Sequence, residues 1–552
     1  MDQTQIKQEI EAGKAVVGIE FGSTRIKAEL IATDNTPVAQ GVWEWQSRLE
    51  NGVWTYSLDE IWQGLQGCYA DLKKNVLSEY GVVIRRLSAI GISAMMHGYL
   101  AFNDKDELLV PFRTWRNTIT GEAAEKLTEL FHYNIPQRWT IAHLYQAILN
   151  GEEHVKDIRF VATLAAYVHW QLTGEKVIGI DDGSGMFPIS MQTGDFDPEM
   201  IDKFNALISY KDYNWKLPDI FPKNRKAGEE AGFLTEKGAK LLDTAGDLEA
   251  GIPMCPPEGD AGTGMVATNA VARRTGNVSA GTSCFGMIVL EKELKNVYPE
   301  IDLVTTPSGD LVAMAHCNNG TTDLSAWVSL FDEFGRAMGL GDEDRNKVYS
   351  VLYNKALEGD KDCGGLLAYN YYSGEPITKV DEGRLLFVRT PNSDLSLANF
   401  MRVHLYASLS ALKVGMDLLL KEEGVKVDNM MGHGGLFKTK GVGQSMLAAA
   451  LNTPVTCMTT AGEGGAWGIA LLAAYEVRSE GLALDEWLNK NVFASADGET
   501  IRPNQADVSG FDAYLERYKK GIAIEAQAIK SLELREFKSY RESHKDEKHA
   551  EA

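Results

Sequence analysis

Pro256-Pro257-Glu258-Gly259-Asp260-Ala261-Gly262-Thr263-Gly264-Met265 stands near the middle of the 552-residue chain and decides how the rest is read. It sets Asp260 among small residues, where backbone can come close to a ligand. Apolar and small residues over 265–271 predict the start of a helix. A carboxylate so placed can face a bound reactant and accept a proton from it. Glu258, the other acid of the stretch, reads as a turn residue. Gly262 to Ala267 matches a GxGxxA string, but Cys255-Pro256-Pro257 predicts no strand leading into it, which speaks against dinucleotide binding.

Outward from this stretch, two similar units flank it. Upstream, 15–20 predicts a buried strand, Phe21-Gly22-Ser23 a turn, and 24–31 a returning strand with period-two alternation. Downstream, 275–280 leads into Gly281-Thr282-Ser283 and a returning strand over 284–290. Strand, glycine–hydroxyl tip and strand thus occur twice, which suggests a duplicated domain facing itself across a cleft. N–H groups in such tips point at an anion, and the hydroxyls add donors.

A strand over 87–93 ends in Ala94-Met95-Met96-His97-Gly98, where an α/β fold presents side chains to a ligand. Arg116 and Asn117 beside Trp115 can grip hydroxyls or simply form a surface loop. Asp181-Asp182-Gly183-Ser184-Gly185 reads as a polar loop after a strand over 176–180. Helical patterns occupy 54–80, 123–149, 161–172, 397–420, 441–451 and 511–532. Residues 430–437 read as a strand end entering a glycine turn, and 461–468 open a small-residue helix suited to close packing on a ligand or another backbone. Residues 1–14 read as a polar lead-in, and 535–552 as a charged, disordered tail.

Composition narrows the partners. The chain is too long for one core, so two or more domains are expected. A formal net charge of −22 opposes nucleic acid and anionic membrane. Six cysteines without a CxxC pair fit reduced thiols in a cytoplasmic protein. Residues 1–13 hold no apolar signal core, and the longest apolar runs, such as 466–475, are too short to span a membrane. No GxxxxGK[ST], HExxH or GxSxG string occurs, and His316-Cys317 reads as structural.

These residues together resemble the FGGY carbohydrate kinases of the actin/hexokinase/Hsp70 ATPase superfamily. The resemblance runs from about Val16 to the 511–532 helix and lies in the order and spacing of the strings. Residues 18–27 look like the first phosphate hairpin, Met96-His97-Gly98 like the sugar-contact turn of xylulokinase-type members, and Gly259-Asp260-Ala261 like the catalytic-base motif. Leu172-Thr173-Gly174-Glu175 and Asp182-Gly183-Ser184-Gly185 look like the middle stretch. Ser279 to Ser283 resembles the second phosphate hairpin, and Gly432-His433-Gly434-Gly435 and the 464–470 helix the adenosine site.

The resemblance implies an α/β fold of two duplicated actin-like (ribonuclease H-like) ATPase domains with a central cleft. The domains would span 14–268 and 269–532, followed by a charged tail over 533–552. It implies Asp260 as catalytic base, and Met96, His97, Arg116 and Asn117 with Asp260 around the sugar. Gly22, Ser23, Thr24, Lys27, Gly281, Thr282, Ser283, Gly434, Gly435 and Lys438 would hold ATP, and Glu20 would support Mg²⁺ through water. The implied reaction is ATP-dependent phosphorylation of the terminal hydroxyl of a ketopentose, L-ribulose or D-xylulose, in the cytoplasm. A homodimer is also implied.

Three departures stand out. Glu20 replaces the usual Asp, Met95 the usual Gln, and Trp115-Arg116-Asn117-Thr118 the Trp-Asn-Asp or Trp-Gln-Asp-Arg type loop, which argues against glycerol kinase. The alternatives are a kinase for another sugar or polyol, or a non-catalytic sugar and ATP sensor. An Hsp70-type chaperone lacks its peptide-binding domain here, and a nicotinamide dehydrogenase would rest on the GxGxxA string alone.

Overall fold

A computed structural model describes residues 1–340, 345–458, 464–494 and 497–534. Its first sheet runs in the order Glu258–Gly259, Ala89–Ala94, Val16–Phe21, Arg25–Ile31, Pro37–Glu44. Val16–Phe21 pairs antiparallel with Arg25–Ile31, setting Glu20 opposite Lys27, and parallel with Ala89–Ala94. Nearly every side chain of these three strands is buried, including Glu29 within the alternating Arg25–Ile31.

The second sheet repeats this plan. Its order is Ile301–Thr305, Leu311–Cys317, Cys284–Val289, Thr275–Ala280, Asn429–His433, Val455–Met458, Gly498–Ile501. Without the two outer strands, the order of the five inner ones matches the first sheet strand for strand. Gly22-Ser23-Thr24 and Gly281-Thr282-Ser283 then fall at equivalent turns.

Helix Gly464–Arg478 lies directly on the first sheet. A Cβ on Gly18 would sit 2.3 Å from the Ala466 carbonyl oxygen, and one on Gly91 would sit 2.7 Å from that of Ile469. Only glycine permits this approach. Helix Leu58–Tyr80 is set by a capping box of Ser57 and Glu60 and stops at Gly81 in the left-handed region.

The chain divides into two compact units. One contains 1–280, 285–316 and 415–503; the other contains 281–284, 317–414 and 504 onward. In the second unit, hairpin Leu367–Asn370 and Leu385–Val388 packs with helix Gln505–Ser531, where the Tyr369 ring stacks on Tyr518 at 4.8 Å. All six cysteines are free. One described helix, Leu397–Glu422, is long and apolar enough to cross a membrane, beyond the 466–475 run weighed above, and 83% of its apolar window is buried within the fold.

Several local expectations are corrected. Residues 1–14 hold helix Gln3–Glu11, nucleated by a capping box of Asp2 and Gln5 and anchored by buried Ile10. The pattern over 123–149 is two helices, Gly121–Phe131 and Thr140–Leu149. The 511–532 pattern belongs to Gln505–Ser531, whose first turns Asn504 caps. Residues 180–184 form a short buried helix, not a polar loop. The 535–552 tail and residues 461–463 lie outside the described residues.

Candidate active site

Asp260 opens helix Asp260–Ala267, five residues earlier than the apolar run suggested. A two-residue strand, Glu258–Gly259, leads into it and pairs parallel with Ser93 and Ala94. Glu258 is therefore no turn residue; it is buried in the sheet. Asp260 is exposed to solvent yet closely surrounded by protein atoms, and the Met96 N–H donates to its Oδ1 at 3.2 Å. Lost hydration raises the Asp260 pKa. The N–H groups of Met96, Asp260 and Ala261, and then the Arg138 charge, pull it back.

The Met96-His97-Gly98 turn sits beside it. His97 and Gly98 both have positive φ, +71° and +92°. The His97 ring is buried and its Nδ1 lies 3.2 Å from the Gly185 carbonyl oxygen, so Nδ1–H donates and Nε2 is left as an acceptor. Burial, followed by the Arg138 charge, holds His97 well below the ordinary histidine range, so the ring is neutral. Met96 is also buried and fills the space that a side chain on Gly259 would need, with Cγ 2.2 Å from that ideal Cβ.

Glu20 lies at the end of its strand, against the start of the small-residue helix. A Cβ on Gly465 would meet Glu20 Oε1 at 2.1 Å. Burial, then the neighbouring Asp260 charge, pushes the Glu20 pKa to about 7, against the pull of Lys27 and the Ala466 N–H. Lys27 reaches across to buried Glu29 at 3.0 Å.

Both glycine–hydroxyl tips are fastened by their carbonyls. In the first, Gly22 accepts from Trp45 Nε1 at 2.7 Å, Ser23 from the Tyr56 hydroxyl at 2.7 Å, and Thr24 from the Trp45 N–H at 3.2 Å. In the second unit, Gly281 accepts from the Thr321 N–H at 2.7 Å and its hydroxyl at 2.9 Å, and Thr282 accepts from the Gly320 N–H at 2.7 Å. With carbonyls turned back into the protein, the exposed Thr24 and Thr282 lead each tip outward. Trp45, Tyr56 and Thr321 carry no sequence signal for this task, because they are far from the tips along the chain.

Gly434, at φ +99°, packs against the strand beside it; a Cβ there would lie 2.6 Å from the Ala280 carbonyl oxygen. Gly434, Gly435 and Lys438 are exposed. Asn117 and Arg116 are placed differently from the sugar contacts expected. The Asn117 amide is buried, accepts from the Trp54 N–H at 2.8 Å, and donates to the carbonyls of Trp54 and Thr114. Arg116 lies 3.9 Å over the Trp54 ring and donates to Ser47. Both tie their loop to residues 47–54. A cation that sequence reasoning missed, Arg138, is instead close enough to act on Asp260, His97 and His316, and is ion-paired with Asp302.

Behind Asp260 lie three buried acids, Asp181, Asp182 and Glu258. Burial, opposed by the Thr163 hydroxyl at 2.5 Å, moves Asp182 from an ordinary 3.8 to about 8. The folded chain keeps this proton to a higher pH than the unfolded chain. The associated stability is therefore complete in acid and is lost as the pH rises through about 8. The urea midpoint of the native protein is expected to fall between roughly pH 5 and pH 9, and Asp182→Asn to flatten that slope. Equal slopes in the two proteins would remove Asp182 as the source.

A sheet order used twice, each with a glycine–hydroxyl tip, and an acid opening a helix define a two-domain phosphotransferase of the actin-like ATPase class. Residues 15–266 match the N-terminal domain of the FGGY family of carbohydrate kinases, and residues 276–477 match its C-terminal domain. The chain is 21% identical over 491 residues to a xylulose kinase of Staphylococcus xylosus, covering 83% of this chain and 90% of that protein. A gluconate kinase structure from Lactobacillus acidophilus matches with a TM-score of 0.75 at 18% identity, over 94% of this chain and 100% of the other. A ligand-bound xylulose kinase structure from the same organism matches with a TM-score of 0.73 at 17% identity, over 93% and 99%. The chain belongs to the FGGY family of carbohydrate kinases and is an ATP-dependent sugar phosphotransferase.

Proposed function

We propose that the enzyme phosphorylates the terminal hydroxyl of a ketopentose, D-xylulose or L-ribulose, with Asp260 as general base, in the cytoplasm. The observation that carries this reading is Asp260 at its helix start, open to solvent and held by the Met96 N–H beside His97. Neutral His97 offers Nε2 to a sugar hydroxyl, and buried Met96 gives the sugar an apolar floor. The sugar oxygen attacks the γ-phosphorus, Asp260 accepts its proton, and the bond to the β-phosphate oxygen breaks to release ADP.

Gly22, Ser23, Thr24 and Lys27 in the first unit are phosphate contacts, as are Gly281, Thr282 and Ser283 in the second. Gly434 and Gly435 receive adenosine, with Lys438 nearby in sequence. Among the described residues no cluster of three metal-ligating side chains occurs. One acid, Glu20, beside Asp260 would support a Mg²⁺ ion through water, a fit for an ion that binds mainly to phosphate and water. Such an ion would neutralise phosphate charge. Glu20 has to lose its proton to support it, which at a pKa of about 7 favours neutral to basic pH.

Arg138 near Asp260 supports a second reading, an acceptor carrying a carboxylate, such as an aldonate. A screen of sugar-dependent ADP release over ketopentoses, ketohexoses, polyols and aldonates separates the two. Ketopentoses are expected to give the highest kcat/KM. Preference for an aldonate would overturn the ketopentose assignment, and ADP release independent of every acceptor would overturn the kinase mechanism.

A further inference from the structure

One buried acid, Asp181, holds the backbone on which Asp260 stands, and a second, Glu258, holds Asp181. Asp181 is fully buried, and its Oδ2 accepts the N–H groups of Gly259 and Gly262, both at 3.1 Å. Those residues lie one before and two after Asp260. Gly259 is the cap of the Asp260 helix and has no side chain with which to cap it, so Asp181 supplies the missing acceptor from another part of the chain. The space for it is cleared by glycine. An ideal Cβ on Gly262 would lie 2.4 Å from the Asp181 Cγ and Oδ2, and one on Gly259 would lie 2.9 Å from Oδ2.

Asp181 is itself held. Glu258 Oε2 accepts the N–H groups of Asp181 and Asp182 at 3.1 and 3.3 Å. The Ser184 hydroxyl donates to the Asp181 carbonyl at 2.5 Å and accepts from the Thr305 N–H at 3.0 Å. The glycine clearance recurs here, since a Cβ on Gly179 would lie 2.2 Å from the Glu258 carboxyl carbon. Each carboxyl therefore caps the segment that carries the other. The result is a closed clasp with Asp260 at its outer edge.

We propose that Asp181 is a positioning residue for Asp260, holding the base in place through the Gly259 and Gly262 N–H groups. The proposal rests on the reading of Asp260 as the base. The clasp is sealed from solvent, so its geometric action is to fix where the Asp260 carboxylate stands. A displacement of about 1 Å at a reacting group can cost on the order of 100-fold in rate.

The test uses the full chain and the best acceptor from the ADP-release screen. Asp181→Ala is expected to lower kcat by about 30- to 300-fold while both KM values stay within about threefold. Asp181→Asn keeps an oxygen that can accept both N–H groups and is expected to return to within about fivefold of native kcat. Gly262→Ala, which pushes the Asp181 carboxyl away, should lower kcat as well. Because Asp181 acts through Asp260, adding Asp181→Ala to Asp260→Asn should cost little further rate.

Native kcat in a folded Asp181→Ala or Gly262→Ala protein would overturn the proposal. An Asn variant no better than Ala, or full additivity in the double variant, would do the same. If Asp181→Ala does not fold, the Asn and Gly262→Ala variants still decide. An inactive Asp260→Asn beside a normal Asp181→Ala fails this proposal alone; a normal Asp260→Asn fails the reading of the base.

Discussion

Asp260→Asn is expected to lower kcat by about two to four powers of ten, the range for loss of a general base. The amide keeps an oxygen for the Met96 N–H, so the helix start should stay in place. What is lost is the proposed acceptor of the hydroxyl proton. ATP affinity should be unchanged, because the proposed nucleotide contacts at the tips and the Gly434 turn are untouched. Single-turnover measurements with saturating sugar isolate the chemical step. Turnover within about tenfold of native would take Asp260 out of the role.

A large stability effect is expected at Gly468. Its ideal Cβ would lie 2.0 Å from the Thr263 carbonyl oxygen, a backbone atom of the helix that Asp260 opens. A flexible side chain could swing aside, but a helix backbone has to move as a body. Gly468→Ala should therefore cost about 3 kcal/mol, the upper end for overpacking, although Ala is normally the better helix residue. It should depress kcat too, since the displaced helix carries the proposed base. Gly264 provides the contrast. It lies in the same helix as Thr263, its Cβ would meet nothing within 4 Å, and Gly264→Ala should gain about 0.5–1 kcal/mol of stability. Similar urea midpoints for the two variants would show that the Gly468 contact relaxes without cost.

Both effects come from the same construction. The small-residue helix Gly464–Arg478 is pressed between the first sheet, at Gly18 and Gly91, and the Asp260 helix, at Thr263. Its glycines therefore have a packing use. The start of this helix also receives the Glu20 carboxyl, so one close approach serves both packing and the site.

Much of this was legible before any coordinates. Strand–tip–strand units around Gly22 and Gly281 were marked by alternation and glycine, and the topology repeats the same strand order around each. Asp260 stood out because it is an acid inside a run of small residues. Local signals failed where partners came from afar. Glu258 and Asp181 looked like turn chemistry because acids near glycine commonly are. They are instead buried and hydrogen-bonded to each other's segments, 77 residues apart. Asn117 looked available to a sugar and is consumed by Trp54, 63 residues away. Arg138 sits in no motif, yet its charge acts on Asp260 and His97.

Sequence alone determined the family, the duplicated strand plan and the acid to watch, because those are carried by spacing, alternation and glycine along a continuous stretch. Tertiary structure alone decided which carboxyls are sealed in, which carbonyls turn the tips outward and which cation's charge reaches Asp260. These outcomes depend on hydrogen bonds, charge and desolvation between residues that only folding brings together, and no local pattern encodes them.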